Sequence, residues 1–336
     1  ESWKGARLIY LPCNANGWQS VPYDMMSILH AMLYADTLLI LGVSGAIILP
    51  LIRLIIKKRI IINIDGQEWK RPKWSKWAKA FLKFSEKLAV RYSDEVITDN
   101  AALQKYVREE YGIESRLITY GGDHVLHQSW GEEEKKYPFQ PQEYAFKVAR
   151  IEPENNVHLI LEAFSQLSDK KLVLVGNWEH SNYSKTLRKQ YANFPNLFLL
   201  DPIYDQHKLD ALRSNCRLYV HGHQAGGTNP SLVEAMNLGL PIVAFDVSFN
   251  RESMLHQGMY FSNVPQLLTR LLNTEDSTLH KLGNTMLRIA RSHYNWKLIA
   301  SQYGALIRGD SIIPSPKTES IPNKPLRISQ FRLYHN

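Results

Sequence analysis

The chain has 336 residues, a length that suits two domains of ordinary size better than one core. Its hydrophobic share of 44% and charged share of 21% exclude extensive disorder. A formal charge of +8 would attract anionic small molecules, anionic membranes or nucleic acid, without choosing among them.

The two cysteines, Cys13 and Cys216, are far apart and build neither a disulfide framework nor a zinc spacing, which fits a reducing, cytoplasmic setting. No export signal opens the chain, and a start without Met suggests a sequence shortened at its beginning. The most apolar stretch, TLLILGVSGAIILPLI (37–52), is short for a membrane span and contains Gly and Pro. It reads as a buried strand, a Gly-rich turn and an apolar helix, with re-entrant membrane contact as the alternative.

In chain order, RLIYLP (7–12) is a β-type run followed by a Gly/Asn loop, and a helical pattern covers 23–34. Strands are predicted at 37–42 and at 59–64, with a helix at 46–56 between them. The Ile-dense run RIIINI fits a parallel strand covered on both faces. A helix at 74–91, a strand at 95–100, a helix at 101–110 and the run RLITYGG follow. This alternation indicates a doubly wound α/β domain. The polar, proline-punctuated segment GEEEKKYPFQPQE (131–143) predicts the boundary, giving domains over 1–135 and 136–300 and a turn-rich tail over 301–336. The second domain repeats the pattern, with strands at 145–150, 171–176, 197–200, 217–221 and 241–245. Its helices fit 157–167, 183–191, 207–215 and 230–238, and 279–306 is again helical in pattern.

The strongest local signal is AGGTNPSLVEAMNLGLPIVA (225–244). Asn229 can cap a helix whose first residue is Pro230. Gly226 and Gly227 let the backbone approach a ligand closely. The amides of Ser231 and Leu232, with the positive end of the helix dipole, would suit a pyrophosphate. Glu234, one turn inside, would be repelled by phosphates and suits a ribose diol. An ordinary capped helix with a surface glutamate is the competing reading. Arg150 ends the strand AFKVAR, where open parallel sheets collect ligands, and its planar cation can grip phosphate oxygens. Asn155 follows in the loop PENN. A salt bridge from Arg150 to Glu152 or Glu154 competes with the phosphate role.

Neither half contains G-x-G-x-x-G or a Walker lysine motif, which counts against dehydrogenase and phosphoryl-transfer chemistry. No G-x-S-x-G nucleophile motif occurs either. His221 and His223 form the closest histidine pair but lack a clear third ligand nearby, so no metal site is expected; either can lie beside a sugar or phosphate. In INIDGQEWKRPKW, Asp65 and Glu68 are the carboxylates best placed to orient an acceptor hydroxyl or act as a base. A turn role for Asp65 and a pair between Glu68 and Lys70 or Arg71 are the alternatives.

In the next helix Trp74, Trp77, Phe81, Phe84 and Leu88 form an apolar stripe beside Lys76, Lys79, Lys83, Lys87 and Arg91. With Trp69, Lys70, Arg71 and Lys73 this makes a cationic, Trp-rich surface over 69–91 suited to an anionic membrane. A core-facing stripe with a solvated Lys face is the alternative. No recognition module for nucleic acid accompanies it.

At these residues the sequence resembles the retaining GT-B glycosyltransferases of family 4. Within them it is similar to the bacterial polysaccharide rhamnosyltransferase group with a DUF1972-type N-terminal domain. The resemblance covers 7–299. It is carried by LILGVSGAIILPLIR, NIDGQEWKRPKWSKWAKAFLKFSEKLAVRYSD, YGGDH, VARIEPENN and HGHQAGGTNPSLVEAM. It implies two Rossmann-like domains with parallel sheets facing across a cleft, an acceptor side in the first and the donor on the second. It also implies retention of anomeric configuration, no metal and no cofactor, the nucleotide sugar being a substrate.

Arg150 matches the family's phosphate-binding arginine and Glu234 its glutamate on the ribose. Asn155 stands where a phosphate-binding lysine is usual, Gly226 where the first Glu of the E-x7-E pair is usual, and Asp65 where the N-domain histidine is usual. Thr228 and Asn229 are near enough to share the missing glutamate's load, and Asp123 in YGGD matches a residue near the cleft. The family's opening strand and glycine-rich loop do not precede Glu1. The implied activity moves a sugar, rhamnose from dTDP-rhamnose, to a lipid-linked saccharide in surface polysaccharide biosynthesis. Its setting would be cytoplasmic and peripheral, on the inner face of the plasma membrane. A transferase using a UDP-sugar and a catalytically silent nucleotide-sugar-binding or scaffold protein are the alternatives.

Overall fold

A computed structural model describes residues 1–15, 17–64, 66–71 and 74–310. Asp65, Lys73 and the tail from 311 onward, each named above, lie outside the described residues. The chain forms two compact units. The first comprises 1–118, 225–227 and 303–310, and the second 119–224 and 228–302.

In the first unit β1 (Ser2–Trp3) and β2 (Ala6–Arg7) form a hairpin around Lys4 and Gly5, both at positive φ. The β-type run expected over 7–12 ends with this hairpin. Leu8 donates to Glu1 O to close it, and no strand pairing is present beyond that bond. Then come α1 (Ser20–Ala31), β3 (Thr37–Leu41), α2 (Leu49–Ile55), β4 (Arg59–Ile64), α3 (Lys76–Tyr92), β5 (Glu95–Thr98), α4 (Ala101–Tyr111) and β6 (Arg116–Leu117). The four strands pair in parallel in the order β3-β4-β5-β6. On central β4, Ile60, Ile61, Ile62 and Ile64 are all buried, which is why Ile occupies positions facing both sides of the sheet. The apolar stretch 37–52 is a strand, a turn and a helix, with Leu41 and Leu51 exposed. Among the described residues no helix is long and apolar enough to cross a membrane.

Helix α3 corrects the expected stripe. Its buried residues are Leu82, Ser85, Glu86, Ala89 and Val90, whereas Trp77 is 88% and Phe84 53% exposed. Two polar anchors fix this rotation. Ser85 donates to Val43 O at 2.6 Å, and the fully buried Glu86 carboxylate accepts from Trp69 Nε1 at 3.2 Å and Tyr106 OH at 2.5 Å. Tyr111 OH donates to the same carboxylate. Burial first, then that hydrogen bond, pushes the Tyr111 pKa up and keeps it a donor. A buried carboxylate left without donors would cost far more than two aromatics in water. Lys83 also turns inward, 2.8 Å from Glu110 and 4.8 Å above the Trp69 and Tyr106 rings. Trp69 and Lys83 therefore belong to this cluster, and the outward basic residues of the helix are Lys76, Lys87 and Arg91.

The second unit contains β7 (Tyr144–Val148), α5 (Val157–Ser165), β8 (Lys171–Val175), α6 (Asn182–Tyr191), β9 (Leu197–Leu200), α7 (Gln206–Ser214), β10 (Leu218–His221), α8 (Pro230–Asn237) and β11 (Ile242–Phe245). It continues with α9 (Ser248–Ser253), β12 (Met259–Phe261), α10 (Val264–Asn273), α11 (Asp276–His293) and α12 (Trp296–Arg308), whose residues from Tyr303 belong to the first unit. Six parallel strands run in the order β12-β11-β10-β7-β8-β9. One core, with Phe146, Tyr219 and Met236, and another, with Leu172, Val220 and Phe164, together bury both residue sets of the strands.

The polar segment 131–143 lies inside this unit rather than at its border. Phe139 is 1% exposed and its ring centroid is 4.8 Å from that of Tyr144, so the segment is packed. The units divide at Ile118–Thr119. The helical pattern over 279–306 is two helices. Asn295 Oδ1 accepts from Leu298 N at 2.9 Å and Asp123 Oδ1 from Trp296 N at 2.8 Å, which caps α12 and breaks the run. Elements β12, α9 and α10 had no counterpart in the sequence reading.

The YGG run has a packing cause. A Cβ on Gly121 would lie 2.6 Å from the Trp296 ring, and one on Gly122 2.6 Å from the Val233 backbone. Gly122→Ala is therefore expected to destabilise the chain by about 1–3 kcal/mol in urea denaturation, the usual range for overpacking. An unchanged midpoint would contradict the close approach.

Candidate functional site

In the second sheet β7 has β10 on one side and β8 on the other, so the strand order reverses beside β7. Open α/β sheets bind ligands at such a reversal, outside the strands' carboxyl ends. A cavity of about 350 Å³ lies there, lined from β7 and its following loop by Lys147, Arg150 and Asn155. From β10 and beyond come His221 and His223, from α7 Arg213, and from the start of α8 Asn229, Ser231 and Glu234.

Arg150 shows both of its expected features. It lines the cavity, and its 59% exposed side chain sits 3.5 Å from Glu152 and 3.9 Å from Glu154. Ion pairs of so exposed a side chain are weak, so the guanidinium can exchange partners at little cost. Asn155 is buried and ties the loop together. Its Nδ2 donates to Arg150 O at 2.9 Å, and its Oδ1 is 2.8 Å from His223 Nδ1. It carries no charge and so does not replace a lysine electrostatically.

The start of α8 is capped as the sequence indicates, with a consequence that corrects the expectation for its amides. Ser231 N donates to Asn229 Oδ1 at 3.0 Å, and Leu232 N donates to Asn229 O at 3.0 Å. Ser231 Oγ also donates to Asn229 Oδ1, at 2.8 Å. These donors are satisfied within the helix start, and Leu232 is fully buried in the core. What remains for a ligand here is the positive end of the dipole rather than two free N–H groups.

Gly226, Gly227 and Thr228 also differ from expectation, since none of them lines this cavity. Residues 225–227 belong to the first unit. There Gly226 has φ +102°, and a Cβ on Gly227 would lie 1.8 Å from the Asp99 carboxylate, so glycine is needed for close packing. Thr228 is 3% exposed.

Glu234 is held rather than loose. Arg213 Nη1 is 2.6 Å from its Oε2, an ion contact outside hydrogen-bond angles, and His124 Nε2 is 3.2 Å from its Oε1. Arg213 is 1% exposed, with Asp210 at 3.8 Å. The sequence reading overlooked this arginine. Its signal was the spacing of Asp210 and Arg213, one turn apart on a helix whose positions 210–213 are all buried. Lys147 was overlooked too, although a lysine inside an otherwise apolar strand is visible in YAFKV. It is 1% exposed, and burial pushes its ammonium pKa down to about 7. His221 is 2% exposed with Nε2 unpartnered. Burial first, then Lys147 and His223, holds its pKa well below the usual range, so the imidazole is neutral.

Asp123 and Glu68 are occupied elsewhere. Asp123 caps α12. Glu68 accepts from Trp74 Nε1 at 3.1 Å and pairs with Arg71 at 2.8 Å, the arrangement that competed with a catalytic base. Asp65 lies outside the described residues. Among the described residues no three His, Cys, Asp or Glu side chains converge as metal ligands.

Residues 13–123 match the family described as "Domain of unknown function (DUF1972)", and residues 130–265 match "Glycosyl transferases group 1". A protein named glycosyltransferase 1 domain-containing protein 1, from Xenopus tropicalis, is 23% identical over 156 residues. That match covers 44% of this chain and 45% of the relative, so the chain spans about half the length of the curated relative it matches. Among solved structures, sucrose-phosphate synthase from Thermosynechococcus elongatus superposes with a TM-score of 0.75 at 16% identity, covering 91% of this chain and 82% of that one. An α,α-trehalose 6-phosphate synthase from Burkholderia multivorans gives 0.67 at 12% identity, covering 86% and 74%. The chain thus contains a segment that matches DUF1972, followed by one that matches glycosyl transferases group 1, on a GT-B fold.

Proposed function

We propose that this chain is a retaining glycosyltransferase that holds a nucleoside-diphosphate sugar in the cavity at the ends of β7 and β10. The observation that carries the reading is the pairing, in one cavity at the strand-order reversal, of an exchangeable cation, Arg150, with a fixed carboxylate, Glu234. Arg150 leaves its two weak glutamate contacts and grips the diphosphate. Glu234, oriented by Arg213 and His124, accepts from the ribose hydroxyls. The neutral His221 has a free Nε2 that can share a hydrogen bond with a sugar hydroxyl.

In the reaction the bond from the anomeric carbon to the diphosphate oxygen breaks as the acceptor oxygen attacks from the same face. The acceptor's proton passes to the departing diphosphate. Arg150 and the α8 dipole stabilise charge that grows only as that bond breaks, which lowers the barrier rather than merely tightening binding.

Rhamnose from dTDP-rhamnose is the donor favoured by the sequence resemblance, and a lipid-linked saccharide the acceptor. The outward face of α3 supports a membrane-borne acceptor. Trp77 and Phe84 stand in solvent beside Lys76, Lys87 and Arg91, a combination that suits an anionic bilayer at the cytoplasmic surface.

Two measurements test this. On a panel of dTDP- and UDP-sugars with lipid acceptor, Arg150→Ala should lower turnover by roughly a hundredfold, the scale of losing a preorganised charge partner. Its melting temperature should hardly move, because the side chain is largely exposed. Unchanged transfer and donor hydrolysis would remove Arg150 from the mechanism, and donor binding without any turnover by the wild-type chain would favour a silent scaffold. In co-sedimentation, Trp77→Ser with Phe84→Ser should lower binding to phosphatidylglycerol vesicles by about tenfold or more, two buried aromatics being worth a few kcal/mol. Equal binding by the double variant and the wild-type chain would contradict the membrane-facing assignment.

A further inference from the structure

Lys147 has no role in the chemistry above. It sits on β7 three residues before Arg150, in a strand where Tyr144, Ala145 and Phe146 are packed in the core and Val148 is partly buried. Strand pattern and burial both ask for an apolar side chain at this position. Instead an ammonium group that is 1% exposed lines the cavity. Among the described residues it makes no hydrogen bond or ion pair, and desolvation is the sole influence on its pKa.

The groups around it offer no compensation. Glu234, the carboxylate lining the cavity, is engaged by Arg213 and His124. Glu152 and Glu154 stand beside Arg150. His221 and His223 are ring nitrogens without negative charge, and His221 is itself kept neutral partly by Lys147. A buried cation with no counter-charge is among the most costly arrangements a fold can hold, and such groups concentrate at ligand sites. Burial pushes the Lys147 pKa down to about 7, and an arriving anion would favour the charged form.

Other groups of the cavity that could meet a diphosphate are already engaged. Asn155 spends its amide on Arg150 O and His223, and the first amides of α8 are tied to Asn229. Resting on the proposed function, we infer that Lys147 is a diphosphate ligand: its ammonium group bonds an oxygen of the bound nucleoside diphosphate and supplies from β7 the charge that Asn155 does not. With Arg213 held on Glu234, Lys147 and Arg150 are the lysine and arginine of the cavity lining left for two phosphates.

Calorimetric titration of the full chain at pH 7 with dTDP, UDP and GDP, and with thymidine, uridine and guanosine, tests the assignment. Lys147→Met should weaken the bound diphosphate by ten- to a hundredfold and leave the affinity of its nucleoside unchanged. Without ligand the same variant should melt at a higher temperature than the wild-type chain, because the uncompensated charge is gone. Lys147→Gln, uncharged but polar, should show the same loss of diphosphate affinity.

A folded Lys147→Met that binds the diphosphate as tightly as the wild-type chain overturns the inference and leaves the proposed function standing. Loss of nucleoside and diphosphate affinity together in both variants, with a lower melting temperature, marks a structural lysine and also overturns it. A wild-type chain that binds none of the three diphosphates overturns this inference and the proposed function together.

Discussion

The position of β7 between β10 and β8 is the constraint on which the rest of the second unit turns. Because the strand order reverses there, the ends of β7 and β10 are not covered by one continuous crossover, and a cavity opens at the sheet's carboxyl edge. Residues distant in sequence meet at this edge: Lys147 and Arg150 from one strand end, His221 from the next, Arg213 from α7 and Glu234 from α8. The ion contact between Arg213 and Glu234 locks α7 to α8 across the cavity wall. With that carboxylate neutralised, the net character of the pocket is set by Arg150 and Lys147. A site of this sign has the chemistry of a polyanion receptor, and the proposed donor is a sugar carried on two linked phosphates.

Much of the fold was legible in the sequence, for a definite reason. The Ile run of β4 and the apolar runs of β8 and β10 are long because both faces of a parallel sheet are covered, and composition alone records that. The cap at Asn229 with Pro230 was likewise readable, since both residues act through local backbone geometry. Of the candidate cavity, the positions of Arg150 and Glu234 in its lining were legible, because each is local to a strand end or a helix start. The cavity was not legible where a side chain's role depends on distant partners. Arg213 becomes significant only when α7 lies against α8. Lys147 becomes significant only when burial and the absence of a counter-ion are both known. The amides of Ser231 and Leu232 were assigned to a ligand although the cap itself consumes them.

Helix α3 shows the same limit in another form. A stripe of Trp and Phe at helical spacing suggests a core face, and the helix instead turns Ser85 and Glu86 inward. The carboxylate of Glu86 gathers Trp69, Tyr106 and Tyr111 as donors, and Lys83 closes the cluster with charge. A satisfied buried carboxylate outweighs the burial of two aromatics, and the aromatics are left for whatever meets that surface. Hydrophobic periodicity weighs side chains one by one, whereas the helix rotates to satisfy the most demanding of them.

The central claim is that a diphosphate lies against Arg150 and the first turn of α8 while a ribose reaches Glu234. A crystal structure of the chain with a bound nucleoside diphosphate tests it most directly. The account predicts phosphate oxygens within hydrogen-bond distance of the Arg150 guanidinium and the sugar hydroxyls on the Glu234 carboxylate. A nucleotide lodged elsewhere, with Arg150 still facing Glu152 and Glu154 and Glu234 touched by no hydroxyl, would contradict it.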